Sequence, residues 1–240
     1  MRIKVIVPVS IGLWNERVED AYNTVKDHDT EITVVNLTKG PESIEQYYDI
    51  AWSELETLKE AENAEKEGYD AVIIYCFSDP ALFAAREKLT IPVVGLREAA
   101  LHIASMLGRK FSIVGVGSKN SEGKTLDAVR MYGLAPKLAS IRTIEFLVLD
   151  IVNEMEKIKQ ALLKEAKHAV ENDGAEVIVL SCGSLIGLGK WLQEQLGIPV
   201  IEPGLIALKI AEDLVKLGLS HSKVSFCNPH EKRRGRHWSF

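Results

Sequence analysis

The sequence has few cysteines, no long apolar run and no excess of basic residues, and each absence excludes a class of protein. Three cysteines in 240 residues are too few for a disulfide framework, so we expect a reducing, cytoplasmic location. No apolar stretch reaches membrane-spanning length, and residues 1–7 lack the apolar core and cleavage site of a signal peptide. The net charge of −5 argues against a general nucleic-acid binder.

Two motifs that would mark a bound cofactor are incomplete. Gly115-Val116-Gly117 follows a predicted strand, but Asn120 stands where a dinucleotide-binding loop has its third glycine. Residues 118–125 have the spacing of a phosphate-binding loop, with Ser118 in place of the first glycine. We therefore expect Lys124 to be a solvated lysine at a helix start, with a phosphate site as the alternative. The histidines are scattered and predict no metal site.

Short β-branched runs alternate with amphipathic segments along the chain, which is typical of parallel βαβ units. In the first half we predict strands at 2–9, 31–37, 71–75 and 93–94, and helices at 15–27, 42–67, 79–89 and 97–107. In the second half we predict strands at 110–116, 137–142, 176–180 and 199–201, and helices at 122–132, 150–172, 185–196 and 205–217. Residues 223–226 are predicted as a last strand that returns to the first domain.

The two halves repeat one order of elements, and each places a cysteine after its most apolar strand. Cys76 follows the run 71–75, and Cys182 follows the run 177–181. An Ile-Pro-Val strand comes later in each half. We therefore predict an α/β fold of two similar, doubly wound parallel-sheet domains related by a pseudo-twofold axis, with the active site in the cleft between them.

The domain assignment follows from this repeat. We predict that the first domain comprises residues 1–97 together with 205–240, and that the second comprises residues 98–204. No Ser/Gly-rich linker separates the two halves, so we expect them to pack tightly.

The paired cysteines indicate a chemistry. Ligands of open parallel sheets bind beyond the carboxyl ends of the strands, where both thiols are predicted to lie. A helix start after each cysteine would lower the thiol pKa, and its backbone N–H groups would hold a developing enolate oxygen. One thiolate can then remove the proton beside a carbonyl while the opposite thiol protonates the other face. A single buried cysteine is usually a small apolar residue, but a matched pair favours function.

Further motifs extend the pattern between Lys39 and Gly218. They are residues 40–45, 68–71, 76–80, 84–87, 91–95, 98–102, 107–108, 111–114, 173–176 and 182–183. On these residues the chain resembles the aspartate/glutamate/hydantoin racemase superfamily, and most of all its hydantoin racemase branch. The resemblance implies that Cys76 and Cys182 are the acid/base residues of a cofactor-independent racemase.

Two loops depart from the family pattern. Val7-Pro8-Val9-Ser10 stands where the family typically has Asn-Pro-Asn-Thr, and Gly117-Ser118 stands where it often has two threonines. The first loop helps to shape the substrate pocket in the family. The departure therefore bears on the substrate and leaves the two-thiol chemistry as it is.

We accordingly predict racemisation of a 5-substituted hydantoin or a related cyclic amide or amino-acid derivative. Cys76 and Cys182 would each be the base for one enantiomer and the acid for the other. The residues expected to bind the substrate are Pro8, Ser10, Phe77, Ser78, Gly117, Ser118, Gly183 and Ser184. The expected partners are a small-molecule substrate and further copies of the chain, with no nucleic acid, membrane, metal or cofactor.

Several alternatives stay open at this point. The same scaffold suits an aspartate/glutamate-type amino-acid racemase, or a maleate-type cis–trans isomerase that uses one cysteine as a covalent nucleophile. Two facing domains also suit a metabolite-binding module without catalysis. Cys227 has no counterpart in the repeat, and we expect it to be structural or incidental. The basic tail 231–238 is expected to be a solvated end or a subunit contact, with RNA or an acidic partner as the alternative.

Overall fold

The computed structural model describes residues 1–117 and 121–232, and those residues form two halves of the same design. The strands of the first half are β1 (Arg2–Val7), β2 (Glu31–Asn36), β3 (Ala71–Ile74) and β4 (Val93–Gly95), and its helices are α1 (Asn15–Val25), α2 (Tyr47–Lys66), α3 (Leu82–Lys88) and α4 (Leu96–Leu107). The strands of the second half are β5 (Phe111–Val116), β6 (Leu138–Ile144), β7 (Val177–Leu180) and β8 (Val200–Ile201). Its helices are α5 (Glu122–Met131), α6 (Met155–Asp173), α7 (Gly189–Leu196) and α8 (Pro203–Lys216).

Each half contains a four-stranded sheet, and the two sheets have the same strand order. The orders are β2-β1-β3-β4 and β6-β5-β7-β8, and all neighbouring strands are parallel. Every residue of β3 and of β7 is buried, as expected for a central strand that is covered on both faces. The predicted fold of two doubly wound parallel sheets is confirmed.

Helices cover both faces of each sheet because successive strand residues point to opposite faces. In the first half, Ile73 packs with Val18 of α1 and Leu208 of α8. Its neighbour Ile74 packs on the other face with residues of α2 and α3, among them Leu82. Helix α4 follows the first sheet and also contacts α8 and β7, so α4 and α8 lie between the halves. No helix among the described residues is both long enough and apolar enough to cross a membrane.

Four helices begin at least three residues later than predicted, and one of them is α3, which begins at Leu82 rather than at Asp79. Helix α2 begins at Tyr47 rather than near Pro41, because the Asp49 carboxylate accepts the backbone N–H of Gln46 at 2.9 Å and fixes the first turn there. Helix α6 begins at Met155, after a short 3₁₀ turn at Val148–Asp150. Helix α7 begins at Gly189, again after a 3₁₀ turn.

The last predicted strand, 223–226, is wrong. Phe226 N donates to Ser222 O at 2.8 Å, which closes a turn, and the Phe226 ring stacks on Phe83. The segment therefore packs against helix α3 instead of joining the sheet, and Lys223 donates to the backbone carbonyls of Arg86 and Glu87. Residues 233–238 of the predicted basic tail lie outside the described residues.

Candidate active site

The two cysteines lie at corresponding places in the two halves. Cys76 follows β3 and Cys182 follows β7, so each stands beyond the carboxyl end of a central strand. Both thiols are free and partly exposed. Both line one cavity of about 100 Å³ between the halves. A water molecule needs only about 10–15 Å³ of such volume, so the cavity has room for a small molecule.

Most of the residues predicted to bind a substrate also line this cavity. They are Pro8, Phe77, Ser78, Gly117, Gly183 and Ser184. Ser10 is not brought to the cavity, because its hydroxyl donates to the carbonyl of Pro41 at 3.3 Å and the side chain is held by that neighbouring loop. Ser118 lies outside the described residues.

Each thiol has a hydrogen-bond partner two residues further along the chain. The backbone N–H of Ser78 donates to Cys76 Sγ at 3.4 Å. The hydroxyl of Ser184 lies 2.8 Å from Cys182 Sγ and can donate or accept. The backbone N–H of Ser78 can only donate, so it favours the thiolate form of Cys76, whereas the hydroxyl of Ser184 suits both forms of Cys182.

Burial raises the pKa of both thiols. It raises the pKa of Cys76 to about 11, although the Ser78 N–H opposes the shift. Burial also raises the pKa of Cys182, against the hydrogen bonds from Ser184. A thiolate at Cys182 further raises the pKa of Cys76, as expected for two thiols that line the same small cavity.

The predicted lowering of the thiol pKa by helix N-termini is therefore wrong. The reason lies in the segments that follow the cysteines. Helix α3 begins only at Leu82, after a turn in which Asp79 and Ala81 have left-handed backbones, with φ of 48° and 59°. Helix α7 begins seven residues after Cys182. Since the field of a helix terminus falls off within about one turn, neither helix start reaches its thiol.

Asp79 anchors the turn that carries Cys76. Its buried carboxylate accepts the backbone N–H groups of Arg97 and Glu98, each at 3.0 Å, and so caps the start of α4. The hydroxyl of Tyr132, the residue directly after α5 in the second half, donates to the same carboxylate at 3.3 Å. The turn after β3 is thus fixed to both halves of the molecule.

Lys124 is a cavity residue, and the prediction that it is solvated is wrong. Its ammonium lies between the halves, where it donates to the backbone carbonyl of Glu45 at 3.0 Å and to the hydroxyl of Ser78 at 3.3 Å. Burial lowers the pKa of Lys124, and the two thiols act in the opposite direction. Its sequence signal is only a lysine in the first turn of a helix, because both of its acceptors come from the other half.

Two more charged residues of the cavity were not predicted. The guanidinium of Arg97 donates to the backbone carbonyl of Ser78 at 3.0 Å. The carboxylate of Glu45 accepts the backbone N–H of Val148 at 3.2 Å, which ties the segment before α2 to the second half. Each contact joins residues that are far apart in sequence, so no local sequence pattern predicts that Arg97 or Glu45 lines the cavity.

Comparison with known proteins gives matches over nearly the whole chain. The protein-family model described as Asp/Glu/Hydantoin racemase matches residues 15–211. A hydantoin racemase from Pseudomonas sp. (strain NS671) is 38% identical, over 97% of this chain and 93% of that protein. A hydantoin racemase from Paenarthrobacter aurescens is 39% identical, over 97% of this chain and 99% of that protein. The solved structure of an allantoin racemase from Klebsiella pneumoniae has a TM-score of 0.93 at 32% identity, covering 98% of this chain and 97% of that one.

Proposed function

The chain belongs to the Asp/Glu/hydantoin racemase family and is an isomerase of the racemase type, and we propose that it inverts the stereocentre of a 5-substituted hydantoin or a related cyclic amide. One observation carries this proposal: Cys76 and Cys182 line the same cavity from corresponding places in the two halves. The relatives named hydantoin racemase and allantoin racemase support the substrate class, since allantoin is itself a hydantoin with a ureido substituent at its stereocentre.

In the proposed mechanism the two thiols exchange roles. A thiolate on one wall takes the proton from the stereogenic carbon, and the electron pair of that C–H bond moves onto the neighbouring carbonyl oxygen as an enolate. The thiol on the opposite wall then gives its proton to the other face of the carbon and becomes a thiolate. No proton is consumed and no oxidant or reductant is needed, so we propose that the enzyme works without a cofactor.

The site must also stabilise the enolate oxygen. Three small residues border the cavity, so a ligand can reach their backbone without meeting a bulky side chain. They are Gly117, Gly183 and Ser184. We propose that the N–H groups of Gly183 and Ser184, with the Ser78 hydroxyl, hold the carbonyl oxygens of the ring. The N–H of Gly117 already donates to the backbone carbonyl of Ile144 at 3.1 Å, so Gly117 contributes room rather than a donor. Fixed donors of this kind contribute most where negative charge develops in the transition state.

The apolar part of the cavity lining supports a small ring as substrate. Apolar side chains come from both halves, among them Val7, Val9, Val116 and Ile141. The volume of about 100 Å³ is somewhat below the roughly 150 Å³ of an engineered cavity that binds benzene. A five-membered ring with a short substituent fits this scale better than a long dicarboxylate.

We also propose that the enzyme is cytoplasmic and assembles with copies of itself. Three free thiols suit a reducing compartment. Along α2, the side chains of Tyr48, Trp52 and Leu55 are 70%, 49% and 53% exposed, and apolar groups grouped in this way are typical of interaction surfaces. The division into residues 1–97 with 205–240 and residues 98–204 stays a prediction.

Solvent deuterium uptake tests the proposed function. Single enantiomers of 5-substituted hydantoins, aspartate and glutamate would be incubated with the enzyme in D2O and followed by NMR and polarimetry. We expect enzyme-dependent deuteration at the stereocentre of a hydantoin, with loss of optical rotation. Exchange of aspartate or glutamate alone would instead assign the amino-acid reaction. Incubation with maleate tests the alternative of a cis–trans isomerase. Conversion of maleate, with a covalent adduct trapped on a single cysteine, would support that alternative.

A further inference from the structure

Lys124 contacts the first half from the second and lines the same cavity as both thiols. It belongs to α5 of the second half, but its two hydrogen-bond acceptors, Glu45 O and Ser78 Oγ, belong to the first. Ser78 in turn donates its backbone N–H to Cys76 Sγ. Ser78 therefore contacts the Lys124 ammonium through its hydroxyl and the first thiol through its backbone N–H.

The two hydrogen-bond acceptors of Lys124 carry no charge, and the Asp49 carboxylate acts on its ammonium only through space. Both acceptors are neutral oxygens, one a backbone carbonyl and the other a hydroxyl. An ammonium has three N–H donors, and these contacts account for two of them within the described residues. A partly buried cation held in this way stabilises an anion beside it far more than it would in water.

Arg97, the second cation of the cavity, is matched differently. Burial raises the pKa of Asp79, and the positive charge of Arg97 opposes that rise, so Arg97 and Asp79 compensate each other. The charge of Lys124, in contrast, lowers the pKa of Cys76 and also that of Cys182 against the effect of burial. Lys124 is thus the cation that acts on both ends of the proposed proton path.

We propose that Lys124 is the counter-charge of the reaction, staying beside the negative charge as it moves from one thiolate through the substrate enolate to the other thiolate. Its remaining N–H donor binds the enolate oxygen. This inference rests on the proposed function. It adds the residue that stabilises both the buried thiolate and the enolate. Lys124 keeps its three protons throughout, since the only protons that move are those of the two thiols and the substrate carbon.

A positive charge fixed beside all three positions of the negative charge would accelerate the reaction in both directions. It would stabilise the enolate more than the neutral substrate, because only the enolate carries the charge on oxygen. The expected effect is therefore on kcat rather than on KM. A lysine that merely joins the two halves would affect stability and leave the thiolates unchanged.

The pH dependence of thiol alkylation tests the proposal without any substrate. Iodoacetamide modification of Cys76 and Cys182 would be followed by mass spectrometry between pH 6 and 11 in the wild type, in Lys124→Met and in Lys124→Gln. We expect alkylation of both cavity cysteines to be about tenfold slower at pH 8 in either variant, with curves displaced to higher pH. The exposed Cys227 is the internal reference, and its curve should be the same in all proteins.

Lys137→Met is the matched control. The ammonium of Lys137 also donates to backbone carbonyls, those of Ser105 and Gly108, but Lys137 does not line the cavity. With a substrate identified by the deuterium-uptake experiment, we expect kcat of the Lys124 variants to fall at least tenfold and their KM to change less than threefold. Both kcat and KM of Lys137→Met should equal those of the wild type. Alkylation curves that coincide with the wild type, or a rise in KM alone, would overturn the proposal. If the wild type racemises none of the tested compounds, the proposed function and the role of Lys124 beside the enolate both fail. The alkylation curves would still show whether Lys124 promotes ionisation of the two thiols.

Discussion

The hydroxyl of Tyr75 donates to the backbone carbonyl of Gly183 at 3.0 Å. Tyr75 is the residue before Cys76, and Gly183 is the residue after Cys182, so this buried bond ties the two cysteine loops together. The rest of the tyrosine is equally confined. A Cβ on Gly183 would lie 2.6 Å from the Tyr75 ring, and one on Gly204 would lie 2.8 Å from it. The separation of the two thiols is therefore fixed by a rigid ring rather than by flexible side chains.

Replacing Tyr75 by phenylalanine should loosen the site without opening a large cavity. The Gly183 carbonyl loses its buried donor, which we expect to cost about 1–2 kcal/mol in the free energy of unfolding and at least tenfold in kcat. Urea denaturation and steady-state kinetics measure the two effects. Tyr22→Phe is the control, because the Tyr22 hydroxyl is buried without a partner among the described residues, and its removal should be neutral or stabilising. Equal effects of the two variants would contradict this role of Tyr75.

Adding one methyl group at Gly204 should be more disruptive than its size suggests. In Gly204→Ala the new Cβ meets the Tyr75 ring, which cannot move away without breaking its bond to Gly183. We expect a loss of about 1–3 kcal/mol, as for other overpacked sites, measured by urea denaturation. Gly123→Ala provides the opposite case, since no atom lies within 4 Å of its added Cβ and the helix should gain about 1 kcal/mol. A neutral Gly204→Ala would show that the ring is free to shift.

The positions of the two cysteines were predictable from the sequence, whereas their ionisation was not. The buried strands before Cys76 and Cys182 appear as nearly continuous apolar runs, and the repeat of elements places both residues at equivalent strand ends. The direction of the pKa shifts depends instead on the distance from each thiol to the next helix. After Cys76 that distance is set by a turn in which Asp79 has a left-handed backbone. The amino-acid composition of the segment does not predict such a turn.

The role of Lys124 shows the same limit. A lysine in the first turn of a polar helix is usually exposed, and the local sequence favours that interpretation. The side chain is drawn into the cavity because Glu45 and Ser78, from a different half, place their oxygens beside it. Start points of helices were missed for a related reason: Asp49 rather than Pro41 fixes the first turn of α2, and either residue is a plausible start.

The raised thiol pKa values predict an alkaline pH optimum. Below the pKa of a thiol its thiolate fraction rises about tenfold per pH unit, and burial moves both pKa values above the ordinary cysteine value of about 8.5. The proposed mechanism needs one thiolate and one thiol, so we expect kcat/KM to be still rising about tenfold per unit between pH 7 and 8. It should fall again near pH 11, where Cys76 also ionises. A plateau that begins below pH 7 would contradict the burial of the thiols.

His221 should make the fold sensitive to mild acid. The backbone N–H of Val93, on the edge strand β4, lies 2.9 Å from His221 Nε2 and donates to it. Burial, with Arg86 nearby, lowers the pKa of His221 from 6.5 to about 4. Because the folded state favours the neutral ring, its contribution is complete above pH 6.5 and is lost as the pH falls towards 4.

Urea denaturation at pH 7, 5.5 and 4.5 measures this loss. In the wild type the free energy of unfolding should fall over that range. His221→Gln retains an acceptor that does not titrate, so its curve should be flatter. The exposed His28 provides the control, and His28→Gln should keep the wild-type slope. A slope that is unchanged in His221→Gln would assign the acid sensitivity to other groups.

The assignment of Cys76 and Cys182 to opposite faces of the substrate is tested most directly by isotope exchange in single-cysteine variants. Each enantiomer would be incubated separately in D2O with Cys76→Ser and with Cys182→Ser, and deuteration and inversion would be measured in the same sample. We predict that both variants lose racemisation by roughly 10²–10⁴-fold, the range of a general acid or base. Each should still exchange the proton of one enantiomer without inverting it, and the two variants should choose opposite enantiomers. Racemisation near the wild-type rate in either variant, or exchange of the same enantiomer by both, would contradict a two-thiol mechanism.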